Sequence, residues 1–459
     1  YKREFSTSKA MSESREWYQE EHWVKVFTAS PEEIDPDSYV TCTYYITPKE
    51  GLDLRSAGIY AAAEQSIGTW TTVKTMTERV YKLAGKVFHA EKISGEAGIV
   101  KIGFPLELFD IEAGISHLLS IVAGNLFGVG AVKGIRLLDV HLPKEYVKAF
   151  KGPKFGIEGV RRILGTDKSP RPHLGTIIKP KVGLGPKETA EAAYEAAAGG
   201  VDFIKDDETL TSQKFNPIED RVTHVMDALD RVKEETGRTV LYAVDVTADY
   251  NQLWKNVETA LDNGANCVMV DFLCTGLPAL RALAEDPSVK VPVHVHRCLH
   301  AAMTRNPEHG IHMLVLAKLV RLAGGDQLHT GTAKGKMEKP GAGAPTLLEN
   351  YSGVRGVRYI NDFLRSEWFG LKTTLPVASG GIHPALVPAN LELLGYPDIQ
   401  LNAGGGIHGH PWGSRAGAMA MRQAIEAYMQ KVPLEEYAKT HPELREALQY
   451  WGTKFLGEE

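Results

Sequence analysis

The residues of this chain that could do chemistry collect where short apolar runs end. The clearest case is GGVDFIKDDE (199–208), a strand-like run that closes on Lys205, Asp206, Asp207 and Glu208. In an extended segment alternate side chains share a face, so Lys205 and Asp207 point one way and Asp206 the other. Glu208 lies just beyond, where the chain can swing back. Two carboxylates on one side fit a hard cation such as Mg²⁺, which takes oxygen ligands. An ammonium does not fit, being a cation without a lone pair. A free lysine amine can instead react with CO₂ to form a carbamate, an anion with oxygen donors. Lys205 then becomes a third oxygen ligand beside Asp207 and Glu208. Neighbouring cations such as Lys179 and Lys181 favour the free amine, and the carboxylates oppose it. Taken alone, KDDE more often means a salt-bridged strand end.

Other strand ends repeat the pattern. They carry Lys179 and Lys181, Asp245, Asp271, His296 with Arg297, His329, Ser379–Gly380–Gly381, and Gly404–Gly405–Gly406. Each has an ordinary reading: a hydrogen-bonded histidine, an internal ion pair for Arg297, turns that need positive φ for the glycines. Recurrence at one end of so many strands favours an active site. Glycine leaves backbone N–H groups uncovered, so SGG and GGG fit one phosphate, and Arg297 with His329 fits a second. The ligand read from this set is phosphorylated at both ends, with its middle over a metal.

These side chains need a scaffold that brings many strand ends together. From about residue 174 short apolar strands alternate with mostly helical stretches: LGTIIKP, VDFIKD, VLYAVDV, CVMVD, VHVHR, QLHTG, LPVASGG and IQLNAGGG. Eight strands, each followed by a crossover, over roughly 250 residues predict a closed (β/α)₈ TIM barrel, whose chemistry sits at the C-terminal strand ends. An open doubly wound sheet is the rival, and no dinucleotide fingerprint supports it. Before the barrel, YVTCTYYIT, TWTTVKT, VFHAEKI, IVKIGFPL and KGIRLLDVHLP read as strands, and 56–66 and 115–127 as helices. That order predicts an α+β, ferredoxin-like domain. The expected fold class is therefore α/β, divided into a polar leader (1–38), the α+β domain (39–150) and the barrel with C-terminal helices (151–459).

Composition narrows the function. A net charge of −5 gives no general attraction to nucleic acid or anionic membrane. An anionic ligand must then be held by local cations. No apolar stretch approaches the ~20 residues of a membrane span, and the polar N-terminus has no signal-peptide core. The first residue is Tyr1, read as a start after processing or within a longer chain. Cys42, Cys267, Cys274 and Cys298 are scattered without a C-x-x-C pair, which argues against a disulfide framework and for a reducing, cytoplasmic setting.

The motifs GTWTT, GTIIKPKVGL, DFIKDDE, HVHRCLHAAMTRNPEHG, DQLHTGTAKGKME, LPVASGGIHP and AGGGIHGHPWG follow one another along the chain. In order and spacing the chain, from about Val40 to Gly452, resembles the large subunit of ribulose-1,5-bisphosphate carboxylase/oxygenase (RuBisCO), most closely the archaeal-type form III. The resemblance implies a lyase that fixes CO₂ on ribulose-1,5-bisphosphate with an oxygenase side reaction. It implies Mg²⁺ held by carbamylated Lys205, Asp207 and Glu208. Lys179 would protonate the late carbanion and Lys181 would sit near the metal end of the substrate. His296 would lie by the reacting carbons, Arg297 and His329 would hold one phosphate, and Gly381, Gly404 and Gly405 the other, beside Gly380. Ser379 would contact a substrate hydroxyl. Lys336, on the loop GTAKGKMEKPG, would close over the incoming carboxylate. Glu64, Thr69, Trp70 and Asn125 would complete the site of a neighbouring subunit, which implies a homodimer, or an assembly of dimers, with no small subunit implied. Without the resemblance, Glu64 reads as a solvated helix residue, Trp70 as a core aromatic and Asn125 as a helix C-cap. The form III likeness tilts the pathway toward nucleotide-ribose (AMP) salvage.

The chain departs from the family pattern in places. Ile177 stands where plant-type enzymes have Thr, Gln327 where they have His, and EQSIGTW replaces ESSTGTW. Asp245 stands where relatives usually show Asn, and an extra carboxylate there would strengthen cation binding and oppose the free amine of Lys205. A RuBisCO-like enolase or isomerase is the nearer rival, but such proteins typically lose part of the set Glu64, His329, Lys336 and Ser379, all present here. A non-catalytic sugar-bisphosphate binder would need neither Lys179 nor a lysine in the metal site. A generic barrel aldolase is weaker still, because nothing calls for a Schiff-base lysine.

Overall fold

Two kinds of strand occur in the chain, and burial separates them. The computed structural model describes residues 20–69, 71, 73–336, 368–452 and 454. Strands β1 (Tyr39–Pro48), β2 (Lys86–Ser94), β3 (Ala97–Pro105) and β4 (Val132–His141) form an antiparallel sheet in the order β4-β1-β3-β2. Helices Leu54–Glu64 and Gly114–Val122 link β1 to β2 and β3 to β4, the ferredoxin-like βαββαβ arrangement expected from sequence. The first half of β1 alternates, with Val40, Cys42 and Tyr44 buried and Thr41 and Thr43 partly exposed. One face therefore packs on the core and the other meets solvent.

Three details differ from the expectation. Within the segment read as a polar leader, helix Glu21–Phe27 buries Trp23 and Phe27 in the same core; residues 1–19 lie outside the described residues. TWTTVKT is not a strand in its described part: Thr71, Val73, Lys74 and Thr75 are exposed and form a bend and a turn. With no buried face, nothing sets a strand register there. A fifth strand, β10 (Gly310–Ile311), comes from the barrel half of the chain and pairs in parallel with β4.

The eight expected barrel strands form β5 (His173–Ile177), β6 (Phe203–Lys205), β7 (Leu241–Asp245), β8 (Cys267–Asp271), β9 (Val293–His296), β11 (Gln327–His329), β12 (Leu375–Ser379) and β13 (Gln400–Asn402). They close in parallel, with β9 against β11 and β13 back against β5. Every residue of β5, β7 and β8 is buried, because helices cover one face and the barrel interior the other. Helix Gly156–Leu164 plugs the N-terminal end, packing Ile157 and Val160 on Phe203, Leu241, Ala243, Cys267, Met269 and Leu375. Phe203 thus points inward, and so does Lys205 two residues on. The interior changes from apolar at the base to polar at the top. Among the described residues no helix is long and apolar enough to cross a membrane.

Candidate active site

Carboxylates at the base of the barrel are saturated. Asp202, just before β6, accepts from Arg171 (two bonds of 2.7 Å), Arg422 (2.7 Å) and the Leu174 N–H (2.9 Å). Asp326, just before β11, accepts three backbone N–H groups at 2.8–2.9 Å, from Phe155, Gly156 and Val293. These are stabilising contacts, as conventional barrels carry at that end.

The C-terminal end is different. Lys205 is fully buried, and its Nζ has no hydrogen-bond partner. Glu208 Oε2 lies 3.7 Å from it. Asp207, also buried, faces Lys179 Nζ at 3.5 Å and Lys181 Nζ at 3.9 Å, and the Thr209 hydroxyl donates to it at 2.8 Å. Asp206 turns the opposite way, as alternation requires, and is held by Arg221 at 3.2 Å and by the Tyr242 hydroxyl. Burial pushes the Lys179 ammonium below its ordinary range; Asp207 opposes this and Lys205 adds to it. The site therefore gathers three lysines, Lys179, Lys181 and Lys205, around two carboxylates, Asp207 and Glu208.

Histidines from β9 and β11 line the next sector. His296 Nε2 is 3.6 Å from Glu208 Oε2, and its ring lies 4.4 Å from that of His329. His329 Nε2 meets His294 Nε2 at 2.8 Å, and His294 Nδ1 meets Gln327 Oε1 at 2.7 Å. Gln327 in turn donates to Gln400, and Gln400 to Asn402. This chain of donors puts a proton on His294 Nδ1 and on His329 Nε2, leaving His329 Nδ1 as an acceptor. Burial holds all three imidazoles in the neutral form, with His294 pushed down to about 3. His329 is thus drawn into a histidine cluster rather than standing free beside Arg297. His294 was not among the residues expected from sequence, although it shares a strand face with His296 by the same alternation that singled out Lys205.

Arg297 has no ion-pair partner among the described residues, and burial brings its guanidinium down to about 10. The internal ion pair that would have explained it is absent there. Its guanidinium lies against Gly331, where a Cβ would come within 2.9 Å of a terminal nitrogen. Across the barrel Gly380 and Gly381 take positive φ (127° and 73°), so here the conformational reading of the glycines holds. In the second run it does not. A Cβ on Gly404 would press on the movable end of the Lys179 side chain, with Cε at 2.7 Å, whereas Gly406 is required because one there would meet the Ile382 carbonyl oxygen at 2.2 Å. A Cβ on Gly405 would face open space. Ser379 ends β12, and the Lys336 N–H donates to Gly380 O at 3.1 Å.

The described contacts around Glu64 and Asn125 lie within the first domain. Glu64 ends helix Leu54–Glu64, and Gln65 beyond it donates to the Ser120 and Ile121 carbonyls and accepts the Asn125 N–H at 3.4 Å. Gln65 therefore locks Glu64 and Asn125 into one patch. No described hydrogen bond or ion pair joins Glu64, Thr69 or Asn125 to the barrel strand ends of the same chain; Trp70 lies outside the described residues. The helix before Asn125 ends at Val122 with Ala123 as its C-cap, so Asn125 does not cap it but stands before the short turn Leu126–Gly128.

Family models match both parts of the chain: the ribulose bisphosphate carboxylase large chain catalytic domain over residues 156–451 and its N-terminal domain over residues 29–146. The chain belongs to the RuBisCO large-chain family. Curated RuBisCO relatives from Methanocaldococcus jannaschii and Pyrococcus abyssi are 46% and 45% identical, covering 88% and 89% of this chain and 95% and 92% of theirs. The octameric RuBisCO of Pyrococcus horikoshii, solved with sulfate, superposes with a TM-score of 0.83 at 42% identity, covering 94% of this chain and 97% of that one. A dimeric archaeal RuBisCO from Hyperthermus butylicus gives 0.82 at 37% identity, covering 94% and 99%.

Proposed function

We propose that this RuBisCO-family chain carboxylates ribulose-1,5-bisphosphate to two molecules of 3-phosphoglycerate, with O₂ competing for the same intermediate. The observation that carries the reading is Lys205. A lysine whose Nζ is buried without a hydrogen bond, beside Asp207 and Glu208, is costly as an ammonium and useful as a carbamate. Lys205, Asp207 and Glu208 together fit Mg²⁺, an all-oxygen set once the amine is carbamylated. When bound, the cation and carbamate supply stabilisation of the oxyanion formed as a proton leaves the carbon beside the ketone.

The remaining residues bind, orient and move protons. Arg297 offers its unpaired charge to one phosphate, with His329 beside it; because His329 Nδ1 is an acceptor, it helps only by taking up a proton. The N–H groups around Gly380, Gly381, Gly404 and Gly405 receive the other phosphate. Lys179, its proton loosened by burial, returns a proton to the late carbanion, and Lys181 keeps the metal end of the substrate in place. His296 faces the reacting carbons and Ser379 a hydroxyl. Lys336 sits at the start of the loop that would exclude water over the new carboxylate.

Glu64, Thr69 and Asn125 make no described hydrogen bond or ion pair to the barrel strand ends of their own chain, which supports assigning them, with Trp70, to the site of a second copy. We therefore assign a homodimer with shared sites, in line with the dimeric and octameric relatives. The test is labelled CO₂ incorporation into 3-phosphoglycerate after preincubation with Mg²⁺ and bicarbonate. Incorporation that needs the preincubation and falls at least a thousandfold in Lys205→Ala supports the reading. Binding of the bisphosphate without incorporation overturns it.

A further inference from the structure

We infer that Asp271, Cys274 and Cys298 form a second metal site, for a thiophilic divalent cation of the zinc class, next to the carbamate site and separate from it. Cys274 lies in the turn Phe272–Thr275 after β8, and Cys298 follows β9. Because β8 and β9 are parallel neighbours, the two sulfurs come to 3.8 Å of each other across 24 residues of sequence. One ligand atom from each of the three residues lies within 4.8 Å of the others.

The spacing suits a metal. A tetrahedral zinc with thiolates at ~2.3 Å holds its sulfurs roughly 3.8 Å apart. The carboxylate is also waiting: Asp271 is 2% exposed and its Oδ1 has no hydrogen-bond partner. Cys274 is exposed and Cys298 half-buried, which leaves an entry path and a fourth position for water. Two sulfurs and one oxygen select zinc or cadmium over Mg²⁺. The all-oxygen set at Lys205 has the opposite preference. Binding displaces one proton from each thiol, so the balance is one cation in and two protons out. Cys42 and Cys267 are buried and do not compete.

The site also bears on the reaction. The Cys298 N–H donates to His296 Nδ1 at 3.1 Å, and Asp271 Oδ1 lies 3.9 Å from the same nitrogen. His296 Nε2 faces Glu208. A cation held by Asp271 and Cys298 therefore repositions the ring that borders the carbamate site, and inhibition should follow.

The experiment titrates the reduced full-length protein with Cd²⁺ in excess Mg²⁺ and follows the ultraviolet thiolate-to-cadmium charge-transfer band. An all-oxygen site cannot produce that band, so this readout stands apart from the carboxylase reading. We expect one Cd²⁺ per chain, displaced by Zn²⁺, with the band lost and affinity reduced at least tenfold in Cys274→Ser and in Cys298→Ser. Asp271→Asn should keep a band at lower affinity. Zn²⁺ at constant Mg²⁺ should inhibit carboxylation, with at least a tenfold higher concentration needed in Cys274→Ser. Circular dichroism checks that each variant is folded. The proposal is overturned by the absence of a band, by a band unchanged in Cys274→Ser, or by undiminished affinity in Asp271→Asn.

Discussion

One carboxylate of this site, Asp245, stands at a position where the sequence resemblance leads us to expect Asn. Asp245 is fully buried, its Oδ1 accepts the Thr247 N–H at 3.0 Å, and its Oδ2 has no hydrogen-bond partner. Burial, with Asp271 nearby, raises its carboxyl well above the ordinary range. A raised acid contributes stability at low pH that is lost as pH climbs from the ordinary carboxylate range through the raised value. Asp245→Asn should therefore melt higher than the parent at pH 8 and nearly equal to it at pH 4. If the extra charge opposes a second anion, the variant should also reach full activity at lower bicarbonate. Thermal unfolding at the two pH values and an activation titration measure the two effects. At this scale much could be read from sequence: alternation placed Lys205, Asp206 and Asp207 correctly. The Cys274–Cys298 contact could not be read, because it depends on which strands become neighbours.

The short strand β6 holds its register through the element behind it. Arg221, on helix Ile218–Thr236, is completely buried and donates to Asp206, to the Tyr242 hydroxyl (3.1 Å) and to the Asn216 and Thr211 carbonyls. Asp206 thereby anchors the residue between the two that face the site. Removing one member of a buried pair costs about 3–5 kcal/mol. Arg221→Met should lower the urea midpoint by a corresponding amount and loosen Mg²⁺ binding without touching a ligand; equilibrium unfolding and Mg²⁺ titration check both. The barrel strands were legible because burial on both faces makes them short apolar runs bounded by turns. TWTTVKT misled because β-branched and aromatic residues favour strands only where a sheet face receives them. The two-residue β10 is too short to leave a period in the sequence.

Across the whole molecule, buried histidines link stability to acid. His173, His294, His296, His300, His312 and His329 all have their imidazoles pushed down by burial, His173, His294 and His300 to about 3. The unfolded chain binds protons near pH 6.5 and the folded one does not. Their contribution is thus present above about pH 6.5 and drains away as pH falls toward 3. The histidine contribution to the urea midpoint should be level above pH 7 and drop steeply below 6, and His173→Gln should shallow that slope. An unchanged midpoint at pH 5 would remove this account.

The parallel pairing of β10 with β4 has a consequence for how the chain is built. Gly310 meets Arg136, and Ile311 meets Leu137, across about 170 residues of sequence. The His309 ring accepts the Ile135 N–H (3.3 Å), and Arg136 donates to the Thr304 carbonyl. During synthesis, β4 must wait as an open edge until five barrel strands have followed it from the ribosome. Open edges recruit other strands, and contacts so distant in sequence form slowly. Residues 20–150 expressed alone should therefore associate through β4, and a synthetic peptide spanning 304–312 should suppress that association. Light scattering of the fragment with and without the peptide would show whether the barrel acts as the chaperone of its own N-terminal sheet.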